Sequence, residues 1–212
     1  GRVSMKQKKC AYCGTLLKKY DREHVFPKCL YPLSKAKSKV QRLTVPACNM
    51  CNNGWADDEA HFRNVLLVSG DPNKVVRELW ETTAIRSFHE IDGRKRIADL
   101  MRQMRSISTS DGTQTMIFPG KDNRVTRVLR KIVRGLCYYH QLTSPILDDK
   151  IWVDTFQHAI PQQFLDQMEH HHREEDIVKY SFHVVNESGI SSAWIITFFE
   201  RTTFLAIVNQ ND

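Results

Sequence analysis

Two C-x-x-C pairs, Cys10/Cys13 and Cys48/Cys51, constrain this chain more than any other feature. A two-residue gap lets both sulfurs of a pair reach one ion at about 2.3 Å, and two pairs complete a tetrahedron. Such a site keeps no open position, so its Zn²⁺ is structural and pins the start of the segment to its end. Coincidental cysteines or a redox pair are the alternatives, and the doubled spacing favours zinc. Cys29 lies between the pairs and has no place as a fifth ligand of a tetrahedral site. Cys137 falls in the apolar stripe of a later helix and is expected to be a buried, inert thiol.

The segment between the pairs needs such a staple. From Lys9 to about Gly54 it is rich in Cys, Lys and Pro and poor in apolar periodicity, so it reads as loops and short strands. It is also basic. Residues 1–54 hold twelve lysines and arginines against Asp21 and Glu23, a balance of +10, so the rest of the +7 chain sums to −3. A basic first quarter on a near-neutral body points to a polyanion partner, with a solubilising charged segment as the plain alternative.

Inside the stapled loop runs Asp21-Arg22-Glu23-His24-Val25-Phe26-Pro27, and Asn52-Asn53-Gly54 follows the second pair. In this order and nesting, residues 10–62 resemble the HNH endonuclease family of ββα-metal (His-Me finger) nucleases in its zinc-binding form. The resemblance implies a β-hairpin carrying His24 as general base and a helix beginning near Cys48. It also implies Glu23 and Asn52 as ligands of a catalytic divalent metal. Two positions depart from the family: the acid is usually Asp, and Leu43 stands where the family's middle Asn would hold the hairpin.

Elementary chemistry gives those roles a reason. Cleaving a phosphodiester needs water deprotonated near neutral pH, and histidine is the side chain poised for that. It also needs charge neutralised on the phosphorane and the departing oxygen, which a hard Mg²⁺ or Mn²⁺ held by oxygen ligands supplies. DNA is the expected substrate, with RNA as the alternative. Lys18, Lys19, Arg22, Lys28, Lys35, Lys37, Lys39 and Arg42 surround the site in sequence and are expected to contact nucleic-acid backbone. Two rival readings remain open: a non-catalytic zinc module that binds nucleic acid, and a protein-interaction domain.

The rest of the chain reads as an α+β region. Asp57 can cap a helix to about Ser69, with Phe62, Val65 and Leu66 inward. Further helices are expected around Val75–Thr83 and Ile97–Met104, a strand at Thr113–Phe118, and a long helix capped by Asp122. That helix carries an apolar stripe from Val125 to Cys137, and its Arg124, Arg127, Arg130, Lys131 and Arg134 are expected to form a solvated basic face. A short helix is expected over Pro161–His170, which leaves His170-His171-His172 at a solvated helix end. Strands are expected at Ile151–Phe156, Tyr180–Val185, Ala193–Phe199 and Phe204–Val208, with a hairpin turn at Asn186–Gly189.

The whole is expected to be α+β: a small zinc-stapled ββα-metal module, a helical middle and a β-rich C-terminal region. A soft boundary near residue 70 separates a nuclease module, 1–70, from an accessory region, 71–212, that offers a surface for a homodimer or a protein partner. The absence of a long apolar run predicts no membrane span, and a basic, polar N-terminus predicts a cytoplasmic protein.

Overall fold

The computed structural model describes residues 7–35, 42–68, 105–108, 114–117, 122–156, 165–166, 168–187 and 189–210. The architecture is α+β. A two-stranded knuckle, β1 (Lys8–Lys9) and β2 (Leu16–Leu17), is followed by an antiparallel hairpin of β3 (Asp21–His24) and β4 (Thr44–Ala47). Helix α1 (Asn49–Asn52) starts directly after Cys48, its N-cap, near where the resemblance implies a helix. It runs only four residues. Gly54, at φ +85°, takes the left-handed turn that ends it, a conformation open to glycine at little cost. Helix α2 (Ala56–Val68) then begins one residue ahead of Asp57, so Asp57 sits in the first turn and is not the cap.

The expected helices around Val75–Thr83 and Ile97–Met104 lie outside the described residues. Next in the described chain come β5 (Arg105–Ser108), which the sequence pattern did not suggest, and its antiparallel partner β6 (Gln114–Ile117). The long helix α3 (Asn123–Tyr139) is capped by Asp122, whose Oδ1 accepts from the amides of Arg124 and Val125.

A five-stranded antiparallel sheet closes the chain, in the order β7-β11-β10-β9-β8. Its strands are β7 (Ile151–Phe156), β8 (His170–Glu174), β9 (Val178–Glu187), β10 (Ile190–Phe198) and β11 (Thr202–Asn209). Asn186 and Gly189, at φ +50° and +76°, make the β9–β10 turn as expected. The three histidines belong to a strand and not to a helix end. Period two then separates them: His170 and His172 lie stacked on Phe182 and Tyr180, while His171 meets Ser181. Aromatic partners on the neighbouring strand outweigh the helical preference of the preceding residues.

Both stretches of chain feed one core. Val128, Leu129, Ile132, Val133 and Leu136 of α3 are buried together with Val25, Phe26, Phe62, Trp194 and Phe198. Each such side chain removed from water contributes about 1.5–3 kcal/mol. Phe26 is the anchor that positions the hairpin, with ring centroids 5.8 Å from Tyr180 and 6.2 Å from Phe198. It follows His24 by two residues, so the end of β3 is fixed to the sheet through an immobile ring. The residue 70 boundary falls outside the described residues. No helix among the described residues is long and apolar enough to cross a membrane.

Candidate metal centre and hairpin site

The four cysteines converge as their spacing predicts. Their sulfurs all lie within 4.8 Å of one another, and Cys13 and Cys48 are 3.8 Å apart. Tetrahedral zinc with bonds of about 2.3 Å separates its sulfurs by roughly 3.8 Å, so the donor set fits such an ion in chemistry and in size. None of the six cysteines is in a disulfide. The first knuckle is a tight turn closed by Gly14 N–H on Cys10 O (2.9 Å) and Cys10 N–H on Thr15 O (2.9 Å). Gly14 is required there twice over, by a φ of +76° and by Pro145, whose Cγ lies 3.0 Å from where a Cβ would stand.

Thr15 hydrogen-bonds Cys13 at 3.1 Å and leads the contacts that hold its thiol down to about 6. Burial, then the neighbouring sulfurs, push Cys51 up, a crowding that a cation among the four relieves. Cys29 stays out of the cluster, its Sγ 3.5 Å from Glu59 O and its thiol pushed up to about 12 by burial. Cys137 is buried and likewise pushed up to about 12, the inert thiol expected of it.

The second cysteine pair and the hairpin share backbone. Ala11 N–H donates to Pro46 O at 2.9 Å, which ties the first knuckle to β4. His24 ends β3 opposite Thr44 and is half-buried. Its Nδ1 is enclosed with no hydrogen-bond partner. Burial, then the nearby Lys28 and Arg42 charges, hold the imidazole below its usual range. The carbonyl of Leu43 accepts from Val25 N–H at 3.0 Å, fixing the strand end just past His24.

Strand alternation puts Asp21 and Glu23 on one face of β3 and Arg22 and His24 on the other. The structure brings Asn52 to Asp21, with Nδ2 donating to Oδ2 at 3.3 Å. Glu23 meets Lys131 instead, whose ammonium donates to Glu23 Oε1 at 3.1 Å and to Glu59 Oε1 at 3.2 Å. Lys131 is buried, under the rings of Trp55 (4.6 Å) and Tyr12 (5.7 Å). Burial raises the Glu59 carboxyl against the pull of Lys131. Asp21 and Lys131 thus stand beside the residues that the motif singles out, and Glu59, one of the downstream acids that could supplement the metal ligands, is tied to Lys131 instead. The period-two relation to Glu23 is the signal that would have found Asp21.

The basic face expected of α3 is largely occupied. Arg127 pairs with Asp58, Arg130 donates to Asp148 at 2.9 Å, and Arg134 donates to Ile146 O (2.7 Å) and Tyr12 O (2.6 Å). With Lys131 buried as well, four of the five cations have partners within the fold, and of these Arg127 stays exposed to solvent. Asp122 links α3 to α2 through His61 at 2.6 Å; against the upward push of burial, His61 and the α3 amides hold its carboxyl below the usual range.

Of the cations expected at nucleic acid, Lys18, Lys19, Arg22 and Lys28 are exposed. Lys18 and Lys19 line an open depression with Tyr20, Asp21 and Asn49. Arg42 lies over the Tyr31 ring at 4.0 Å. Lys35 ends a short 3-10 turn, Leu33–Lys35, and Lys37 and Lys39 lie outside the described residues. Among known proteins, no family model, no curated protein and no solved structure matches this chain.

Proposed function

We propose that the protein is a metal-dependent endonuclease that hydrolyses phosphodiester bonds in DNA, built on a zinc-stapled ββα-metal module of the HNH kind. The observation that carries this reading is one arrangement. His24 stands at the end of a hairpin strand whose partner strand leads directly into the four-cysteine cluster and the short helix bearing Asn52. Zinc on the four sulfurs would fix the knuckles, and with them both ends of that hairpin.

In this reading His24 takes the proton of the attacking water. Asp21, Glu23 and Asn52 offer hard oxygen donors around the other face of β3, a set that suits Mg²⁺ or Mn²⁺. When bound there, such an ion supplies Lewis-acid neutralisation of the phosphate and leaving oxygen. Lys18, Lys19 and Lys28 hold the backbone by charge, which carries little sequence information.

The test is plasmid cleavage with Mg²⁺ or Mn²⁺, beside a chelated control and a His24→Ala protein that keeps its zinc. Metal-dependent nicking or linearisation, lost in the variant, supports the reading. One observation favours a second reading, a nucleic-acid-binding module without catalysis: the Lys131 ammonium already neutralises Glu23, the acid expected to bind metal. Under that reading both proteins retard the plasmid and neither cuts it.

A further inference from the structure

A cavity of about 280 Å³ lies along β4 of the hairpin, where consecutive residues from Arg42 to Pro46 line it together with Lys8, Tyr20, Arg22 and Tyr139. Thr44 is the cross-strand partner of His24, so the cavity wall is continuous with the residue opposite the imidazole. Of the described lining residues three are cationic and none is a carboxylate. Tyr20 and Tyr139 are 37% and 45% exposed, large rings left accessible where most other aromatic rings among the described residues are buried. Lys8 sits with its ammonium 5.1 Å from the Tyr20 ring.

Lys8 and Arg22 select an anion, and accessible rings beside them select a planar, polarisable group. A nucleotide carries both. The volume falls just below the range of ligand pockets, which run from roughly 300 to 1,000 Å³. It holds one nucleotide and is too small for a base pair. Bases in a duplex keep their faces stacked on one another, so ring-on-ring contact is available only to an unpaired base.

We propose that this cavity takes one unpaired nucleotide of single-stranded DNA, its base against Tyr20 and Tyr139 and its phosphates against Lys8 and Arg22. The proposal rests on the nuclease reading only in making this strand the one presented to His24; the binding step stands without it. The substrate would then be single-stranded or locally opened DNA, a narrower class than duplex.

Binding without cleavage tests it. Fluorescence anisotropy of labelled oligo-dT and of a duplex of equal length is measured on the zinc-loaded protein with no Mg²⁺ or Mn²⁺ added. The expected result is tighter binding of the single strand. Tyr20→Ala with Tyr139→Ala weakens it about 5- to 100-fold while duplex affinity changes little, since base–aromatic stacking is lost in one case alone. Arg22→Ala lowers the salt slope of single-strand binding by about one. All three side chains are exposed, and a circular-dichroism melt checks that each variant is folded. Equal affinity for both DNAs, or a tyrosine effect as large on the duplex as on the single strand, overturns the proposal. A protein that binds single strands as described yet cuts no plasmid refutes the nuclease reading and leaves this one intact.

Discussion

Lys131 and Glu23, 108 residues apart in sequence, meet at 3.1 Å, and the same ammonium reaches Glu59 at 3.2 Å. Three elements thus share one charge: β3, α2 and α3. The lysine side chain is 3% exposed while the carboxylates keep 18% and 19%, so the cation carries most of the desolvation and depends on both partners. Removing one member of a buried pair costs about 3–5 kcal/mol, and the partial exposure of the acids reduces that. Lys131→Met is expected to destabilise the fold by about 2–4 kcal/mol, read as a lower urea midpoint with an unchanged slope. A change below about 0.5 kcal/mol, the ordinary range for a surface substitution, would show that the ammonium reaches water in solution.

Metal content tests the sulfur cluster. The purified protein is expected to hold one zinc ion per chain by elemental analysis, and Cys13→Ser or Cys48→Ser to lose it. Cys29→Ser and Cys137→Ser are expected to keep it, since neither sulfur joins the four. Because a structural zinc site is itself folding energy, the ligand variants should melt far below the parent protein. Zinc retained after both ligand substitutions would sink this assignment.

These two cases show what a sequence can convey. The cysteine cluster was legible because a two-residue gap restricts where two sulfurs can go, whatever the rest of the chain does. The Asp122 cap and the apolar stripe of α3 were legible for the same reason, each being a local rule, whereas the start of α1 at Cys48 was expected only from the family resemblance. Lys131 was not, because its neighbours on α3 are arginines and nothing local separates a lysine facing Glu23 from one facing water. His170–His172 was misassigned because the rings of Tyr180 and Phe182 on the neighbouring strand decided its conformation, and pairing across a sheet leaves no mark in a short window.

Those rings give a pH prediction. His140 ends α3 with Nε2 2.8 Å from Tyr180 Oη, packed by His172 at 4.5 Å and Phe182 at 4.7 Å. Burial first, then the charges of His172 and His170 from β8, bring its imidazole down to about 4. An unfolded histidine titrates near 6.5. The folded value is the depressed one, so between those limits the unfolded chain binds more protons. His140 therefore contributes its full stability above about pH 6.5 and loses it as pH falls toward 4. The melting temperature is expected to drop over that window, and His140→Gln to flatten part of the drop. Acids titrating in the same range act equally in both proteins, so the difference between the two curves isolates the histidine. Superimposable pH profiles would mean that the ring is solvated.

The last prediction separates two carboxylates that lie on one face of β3. Asn52 stands with Asp21, not with Glu23, although Glu23 occupies the position directly before the proposed base. The amide now offers its NH₂ to Asp21; a half-turn about its last torsion presents the carbonyl oxygen instead, beside the same carboxylate. Asp21 is exposed and free to serve an ion, whereas Glu23 serves Lys131. Asp21→Asn is therefore expected to raise the Mg²⁺ concentration for half-maximal cleavage about tenfold while shifting stability by no more than about 0.5 kcal/mol. Glu23→Gln is expected to do the reverse in part, lowering stability by about 1–2 kcal/mol as Lys131 loses one charged partner. A metal titration of plasmid cleavage beside a urea melt reads both quantities on each protein. Should Glu23→Gln alone shift the Mg²⁺ requirement, the acid before the base holds the ion, and Lys131 must release Glu23 when metal binds.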